Sequence, residues 1–113
     1  MEEIIKENAG FVGLLLNLGG KVNNEKLKDL IKLHNLQEKE GVNCMPVPPK
    51  NNHDWRIPIR LNKNIKTRRD CLNYMKENGL EDYILMKKGA CISEDYLILS
   101  PSGVGLEVYI HRG

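Results

Sequence analysis

A proline-rich stretch divides this chain into two parts with different apolar spacing. Residues 41–54 contain three prolines, which fix φ and lack a backbone donor, and they hold few side chains that a core could bury. Before this stretch, apolar residues recur at helical spacing, and after it they begin by alternating. We therefore expect one α+β domain over 1–113, with a helical part over 1–40, a loop over 41–54 and a mixed part over 55–113.

Two helices are predicted in the N-terminal part. Residues 2–18 become apolar almost all round from Phe11 onward, and the Gly19-Gly20 pair that follows suits a helix C-terminus. A second helix is expected to begin at Asn23 or Asn24, either of which can cap it, and to end near Leu36. Its buried face would carry the residues at i, i+3, i+4 and i+7 spacing, which are Leu27, Leu30, Ile31 and His34.

The mixed part begins with a predicted edge strand over 55–61. Its apolar side chains alternate strictly, so Arg56 and Arg60 should project from the face away from the core. Pro58 cannot donate to a β-ladder, which places the strand at a sheet edge. The apolar face of this strand would consist of Trp55, Ile57, Ile59 and Leu61.

A third helix should follow this edge strand and precede a C-terminal antiparallel hairpin or meander. Thr67 and Asp70 have capping-box spacing, with Asp in place of Glu, and Gly79 suits the end of the helix. Three short runs of strand-forming residues then follow, at 83–86, 96–99 and 106–110, separated by turn-forming residues. In the last run Glu107 and Tyr109 alternate with apolar residues, which predicts one solvent-facing side.

The order of the N-terminal elements resembles the beginning of a winged-helix domain. A buried helix, a Gly-Gly turn, a short extended piece and a capped amphipathic helix follow each other over residues 4–36. The resemblance implies a DNA-binding regulator whose recognition helix would be the one over 67–79. The chain departs from the winged-helix pattern because a proline-rich loop and a strand intervene before that helix.

The strongest functional signal is a local concentration of positive charge. Between residues 50 and 69 lie seven of the seventeen basic side chains and a single acid, Asp54, whereas the flanking regions are balanced or slightly acidic. Such a segment is typical of a surface that binds a polyanion, so a small non-enzymatic nucleic-acid-binding protein is the leading hypothesis. The nucleic-acid-binding residues would be Lys50, Arg56, Arg60, Lys63, Lys66, Arg68 and Arg69.

The alternative hypothesis is a protein-interaction module, an inhibitor or adaptor. Such a module would add a partner strand to its edge over 55–61 and use the arginines to contact an acidic protein. A solvated basic face without a ligand would produce the same charge pattern.

Catalysis has weaker support in the sequence than binding does. His53 beside Asp54 could be a general base, and Cys44 a nucleophile, but neither has a partner at a characteristic spacing. The acids near the C-terminal strands, Glu107 among them, lack the spacing of metal-dependent nucleases. A nest of amides around Ser100, Ser102, Gly103 and Gly105 could bind an anion, although a hairpin turn explains these residues better. No catalytic residue, cofactor or metal ligand is therefore predicted.

The three cysteines, Cys44, Cys71 and Cys91, are far apart in sequence and odd in number, so we expect reduced thiols in a cytoplasmic protein. No signal peptide or membrane anchor is evident, because the apolar run from Phe11 to Leu18 is too short to span a bilayer. The many Asn and Lys residues, with only two Ala, suggest the AT-rich coding of a low-GC bacterium or a mobile element.

Overall fold

The computed structural model describes residues 6–18, 22–61, 64–86 and 96–110. These residues form three helices and four strands, which confirms the α+β class. The helices are α1 (Ala9–Asn17), α2 (Asn24–Lys39) and α3 (Arg68–Glu77), and the strands are β1 (Arg56–Leu61), β2 (Ile84–Met86), β3 (Tyr96–Leu99) and β4 (Gly105–Ile110).

The four strands form one mixed sheet in the order β1-β4-β3-β2. β2, β3 and β4 are antiparallel neighbours, so the predicted C-terminal meander is confirmed. β1 occupies an edge, as Pro58 required, and it pairs in parallel with β4, where Ile57 lies opposite Leu106. This parallel pairing brings together the first and the last strand of the mixed part.

The helix ends follow the capping chemistry of the sequence. The Asn23 side chain accepts a hydrogen bond from the Lys26 amide at 2.8 Å and begins α2. At α3, Thr67 and Asp70 form the full capping box. The amides of Lys66 and Thr67 donate to the Asp70 carboxylate, and these bonds lower its pKa. Gly79, with φ of 71°, follows the last turn of α3 in the left-handed conformation that favours glycine.

Side chains alternate between the two faces of the sheet, and only one face belongs to the core. This inner face is buried together with residues of all three helices. Trp55, just before β1, is 1% exposed, so the single tryptophan is a core residue. The inner face consists of Ile57, Ile59, Leu61, Leu85, Tyr96, Ile98, Leu106, Val108 and Ile110.

The loop over 41–54 runs beside the edge strand without forming a regular ladder. Val47 and Arg56 exchange backbone hydrogen bonds at 2.7 and 3.0 Å, but at Pro58 the chain has no amide to offer. Gln37 of α2, 1% exposed, supplies the missing donors. Its Nε2 donates to the carbonyl of Pro58 and, at 3.3 Å, to that of Cys44. One buried amide therefore joins helix, loop and strand.

The Gln37 amide is in turn held by a contact with the first helix. Gln37 Oε1 lies 3.3 Å from His34 Nδ1, and the His34 ring stacks on Phe11 with the ring centroids 4.0 Å apart. Phe11 and Leu15 are the buried residues of α1. The packing of α1 on α2 is thereby linked to the bridge between α2 and β1.

The two-helix start agrees with the winged-helix resemblance, but the resemblance itself stays a prediction. Gly19 and Gly20 lie outside the described residues, so the turn that would follow the first helix is not tested. In the described residues the strands after α3 form a sheet that includes β1.

Replacing Gln37 should show how much this bridge contributes to stability. We expect Gln37→Met, of similar size, to lower the free energy of unfolding by roughly 1–3 kcal/mol, because two carbonyls lose their donor. Near pH 7, Gln37→Glu should lower the free energy of unfolding more than Gln37→Met does, since a carboxylate would face two carbonyl oxygens. That arrangement raises the pKa of the introduced carboxyl in the folded state. The additional loss of stability of Gln37→Glu relative to Gln37→Met should therefore disappear below about pH 4 and grow as the pH rises.

Denaturant titrations of the three proteins between pH 3 and 8 measure these differences. A Gln37→Met variant as stable as the wild type would show that the bridge is dispensable. A pH-independent difference between the Met and Glu variants would contradict the carbonyl-facing geometry.

Candidate interaction surfaces

The described basic residues that are predicted to bind nucleic acid lie on different elements of the fold, and two of them have contacts within the protein. Arg56 lies on the outer face of the sheet, where its Nη1 donates to Glu107 Oε2 at 3.3 Å. Both side chains are largely buried, so this arginine is neutralised by a neighbour on β4. Because the pair is 51 residues apart in sequence, the local charge count could not reveal it.

Arg68 has a structural role at the opposite edge of the sheet. Its Nη2 donates to the carbonyl of Leu85 on β2 at 3.3 Å. Three strand spacings of about 4.8 Å separate the β1 and β2 edges by roughly 14 Å. The guanidinium of Arg68 is therefore held away from Arg60, although the two residues are close in sequence.

The remaining basic residues are exposed but dispersed. Lys50 lies in a tight turn that pairs with His53 beside the β1 edge, and Arg60 lies near the end of β1 on the outer face. Lys66 and Arg69 lie at the start of α3, in the helical layer. Lys63 lies outside the described residues.

The β1 edge, predicted to accept a partner strand, is mostly occupied. Arg56 already pairs with Val47, Pro58 has no amide, and Gln37 binds the Pro58 carbonyl. Since every second residue of a strand directs its backbone groups to the same side, Arg60 is the next position that faces outward. At the β2 edge, Arg68 binds the Leu85 carbonyl. A partner could add little more than one residue of strand to either edge.

A groove opens where the loop separates from β1. It has a volume of about 510 Å³ and lies between the loop residues 41–44 and the second half of the strand. We call it the edge groove. Its lining residues are Gly41, Val42, Asn43, Cys44, Pro58, Ile59, Arg60 and Tyr109.

The outer face of the sheet carries an apolar surface that the sequence reasoning missed. The strand register places side chains of β2 and β3 on the same side as Arg56 and Glu107. Ile84 is 63% exposed and Met86 41%. The neighbouring leucines of β3 are half-buried and pack against Gly105. A Cβ added at Gly105 would lie 3.0 Å from Leu97 Cδ1. We call Ile84, Met86, Leu97 and Leu99 the apolar strip.

The predicted solvent-facing side of the last strand is only partly exposed. Glu107 is buried between Pro58 and Leu97 on the outer face, and Tyr109, half-buried, lies next to Arg60. The outer face is therefore a packed surface with a charged end near β1 and an apolar end near β2.

His53 and Asp54, two of the residues considered for catalysis, have structural partners. The Asp54 carboxylate accepts from the Trp55 amide at 2.7 Å and pairs with Lys26 of α2. His53 directs Nδ1 to the carbonyl of Asp54, 2.7 Å away, and not to its carboxylate. Cys44 is exposed in the edge groove and carries a free thiol. No acid–base pair of the kind a catalytic dyad needs is formed at His53 and Asp54.

The Ser100–Gly103 segment forms a hairpin turn in which several amides have acceptors within the protein. The Gly103 amide donates to the Ser100 carbonyl, the Val104 amide to Ser100 Oγ, and the Gly105 amide to the Trp55 carbonyl. Ser102 Oγ donates to Asp29 Oδ2 at 2.5 Å, which fastens the turn to α2. These internal hydrogen bonds favour a structural role for this turn over an amide nest for an anion.

Within the described residues, no group of three or more His, Cys, Asp or Glu side chains is placed to hold a metal ion, and no helix is long and apolar enough to cross a membrane. No protein-family model matches the sequence, and comparisons with curated proteins and with solved structures give no significant match.

Replacement of each arginine of β1 by Gln should show that Arg56 contributes to stability and that the exposed Arg60 does not. We expect Arg56→Gln to lower the free energy of unfolding by roughly 1–3 kcal/mol, because it leaves the buried Glu107 carboxylate without its partner. Arg60→Gln, the same change four residues further along the strand on the same face, should stay within about 0.5 kcal/mol of the wild type.

The double variant Arg56→Gln, Glu107→Gln should recover part of the loss, since it removes the unpaired charge. Urea titration at pH 7 measures all three proteins. Equal stabilities of the Arg56→Gln and Arg60→Gln variants would show that the Arg56–Glu107 pair contributes nothing.

Proposed function

We propose that this chain is a protein-interaction module whose partner covers the apolar strip. Exposed apolar side chains are normal when they are scattered, whereas contiguous apolar patches on a surface typically mark interaction sites. Ile84 and Met86 are neighbours on the open side of β2, and the half-buried Leu97 and Leu99 extend the patch across β3. The contiguity of this strip on one sheet face is the observation that carries the proposal.

The partner is proposed to dock on the face of the sheet and not to extend it. Addition of a strand needs a row of available backbone donors and acceptors. At β1 that row is interrupted by Val47, Pro58 and Gln37, as described above. Side-chain contacts on the open face do not require those groups.

The exposed positive charge of Arg60 on the same sheet face indicates the charge that a partner should carry. Arg60 is exposed beside the edge groove, and no described acid pairs with it. Arg56 and Glu107 neutralise each other between Arg60 and the apolar strip. A partner with an apolar centre and an acidic margin would therefore complement this face.

Site-specific photo-crosslinking tests the docking surface. We expect a photo-reactive residue at Ile84 to form one defined adduct in source cells, and the same residue at Leu72 to form none. Leu72, 43% exposed on α3, is the matched apolar position on another surface. With the purified partner, Ile84→Lys should weaken binding at least tenfold, because burial of an apolar contact is replaced by burial of a charge.

Leu72→Lys should leave the affinity of that partner unchanged. Adducts that form equally at both positions, or a partner whose affinity is indifferent to Ile84→Lys, would contradict docking on the apolar strip.

We propose nucleic-acid binding, as by a small winged-helix-like regulator, as the second candidate function. It is supported by Lys50, Arg60, Lys66 and Arg69, whose side chains are exposed and form no salt bridge with an acid among the described residues. Four phosphate contacts would give a slope of about −3.6 for log affinity against log salt on duplex DNA. Affinity should then fall roughly a hundredfold between about 50 and 200 mM salt.

Fluorescence anisotropy with a mixed-sequence duplex measures this slope. Arg69→Gln should reduce its magnitude by about one contact, whereas Lys28→Gln, an exposed cation on α2, should not change it. A flat salt dependence, or equal effects of the two variants, would count against a specific phosphate-binding surface. In both proposals we place the protein in the cytoplasm, which is supported by the free thiols of Cys44 and Cys71.

A further inference from the structure

The edge groove is a concave site beside the outer sheet face. Its volume of about 510 Å³ lies within the range of ligand-binding clefts. A strand residue advances about 3.3 Å, is spaced about 4.8 Å from its neighbour strand and fills a layer about 10 Å deep, so it occupies roughly 160 Å³. The groove therefore has room for about three residues of extended chain.

The groove exists because the loop cannot complete a ladder with β1. Val47 and Arg56 pair, but the next outward position is Pro58, and the Gln37 amide separates its carbonyl from that of Cys44. At the other end of the groove, Gly41 follows the end of α2 with a φ of 71°, which favours glycine. Two residues after Pro58, the backbone amide and carbonyl of Arg60 face the groove without a partner among the described residues.

Among the described residues, the lining of the groove combines apolar walls with one positive charge. Val42, Pro58 and Tyr109 are half-buried and supply the apolar contact. Arg60 is exposed, and none of the eight lining residues is acidic. A guanidinium in such a setting favours a carboxylate, with which it can form two parallel hydrogen bonds.

We propose that the edge groove binds an extended acidic segment of a partner protein, about three residues long. The segment lies between the loop 41–44 and β1 and exchanges backbone hydrogen bonds with Arg60. One of its carboxylates binds the Arg60 guanidinium, and its apolar side chains contact Val42 and Tyr109. This inference rests on the proposed protein-interaction function, because it names the chemistry of the partner at the charged end of the outer face.

Two short peptides test the groove directly. The probes are the acetylated, amidated pentapeptide Val-Glu-Val-Glu-Val and its counterpart with Lys in place of Glu, titrated into ¹⁵N-labelled protein. We expect the Glu peptide to shift the amide resonances of residues 41–44 and 58–60, and the Lys peptide to leave them unchanged. Arg60→Gln should weaken binding of the Glu peptide at least tenfold, whereas Lys28→Gln, which removes an exposed cation on α2, should not affect it.

Blocking the groove without changing its charge provides a second, independent measurement. Cys44→Trp should abolish binding of the Glu peptide, and N-ethylmaleimide on Cys44 should do the same in an otherwise wild-type fold carrying Cys91→Ser. Cys71 is an internal control for the reagent, because it is fully buried and burial raises the pKa of its thiol to about 11. Modification should therefore stop at Cys44 in the native protein.

Three outcomes would overturn the inference: equal shifts with both peptides, binding that survives the blocked groove, or groove shifts with oligo(dT) of twelve nucleotides but not with the Glu peptide. The last result would assign the groove to nucleic acid. If the Glu peptide does not bind but Ile84 forms a defined adduct, only the proposed binding site in the edge groove is refuted. If Ile84 forms no defined adduct, the protein-interaction function itself is refuted.

Discussion

The contact between Gln37 and Pro58 determines the geometry of the β1 edge and of everything built beside it. A proline in a strand removes one donor from the ladder, which leaves the carbonyls of Cys44 and Pro58 close together without an amide. The two N–H groups of the Gln37 side chain satisfy both carbonyls from within the core. This contact anchors α2 to β1, prevents the loop from pairing further and holds open the edge groove. A single buried amide thus specifies a closed edge and a cleft at the same time.

Most local elements of the fold could be predicted from the sequence, because their causes are local. The capping box at Thr67, the glycine after α3 and the alternation over 55–61 each fix a structure through neighbours within a few residues. The parallel pairing of β1 with β4 could not be predicted. Alternation identifies which side chains face the core, but it does not say which of three later strands lies next to β1.

The surroundings of the candidate functional residues were harder to predict than the fold, since the charge of a residue in the sequence does not reveal its partner in space. Arg56 belongs to an ion pair with Glu107, and Arg68 binds the Leu85 carbonyl, so two of the seven predicted residues have structural contacts. The apolar strip did leave a signal. Ile84–Met86 and Tyr96–Leu99 are continuously apolar, and a strand of that kind has two apolar faces, of which a two-layer fold covers one.

Closed edges and an open apolar face together restrict how another protein can bind. Free strand edges invite pairing with almost any extended chain, because backbone groups carry no sequence information. Here Pro58, Gln37 and Arg68 remove most of those groups from contact. What remains accessible is a side-chain surface, with Ile84 and Met86 at one end and Arg60 at the other. Recognition on such a surface depends on shape and charge, and the Arg56–Glu107 pair between the two ends adds no net charge of its own. The only uncompensated charge on that face in the described residues is therefore Arg60, beside the one position of β1 that can still form backbone hydrogen bonds.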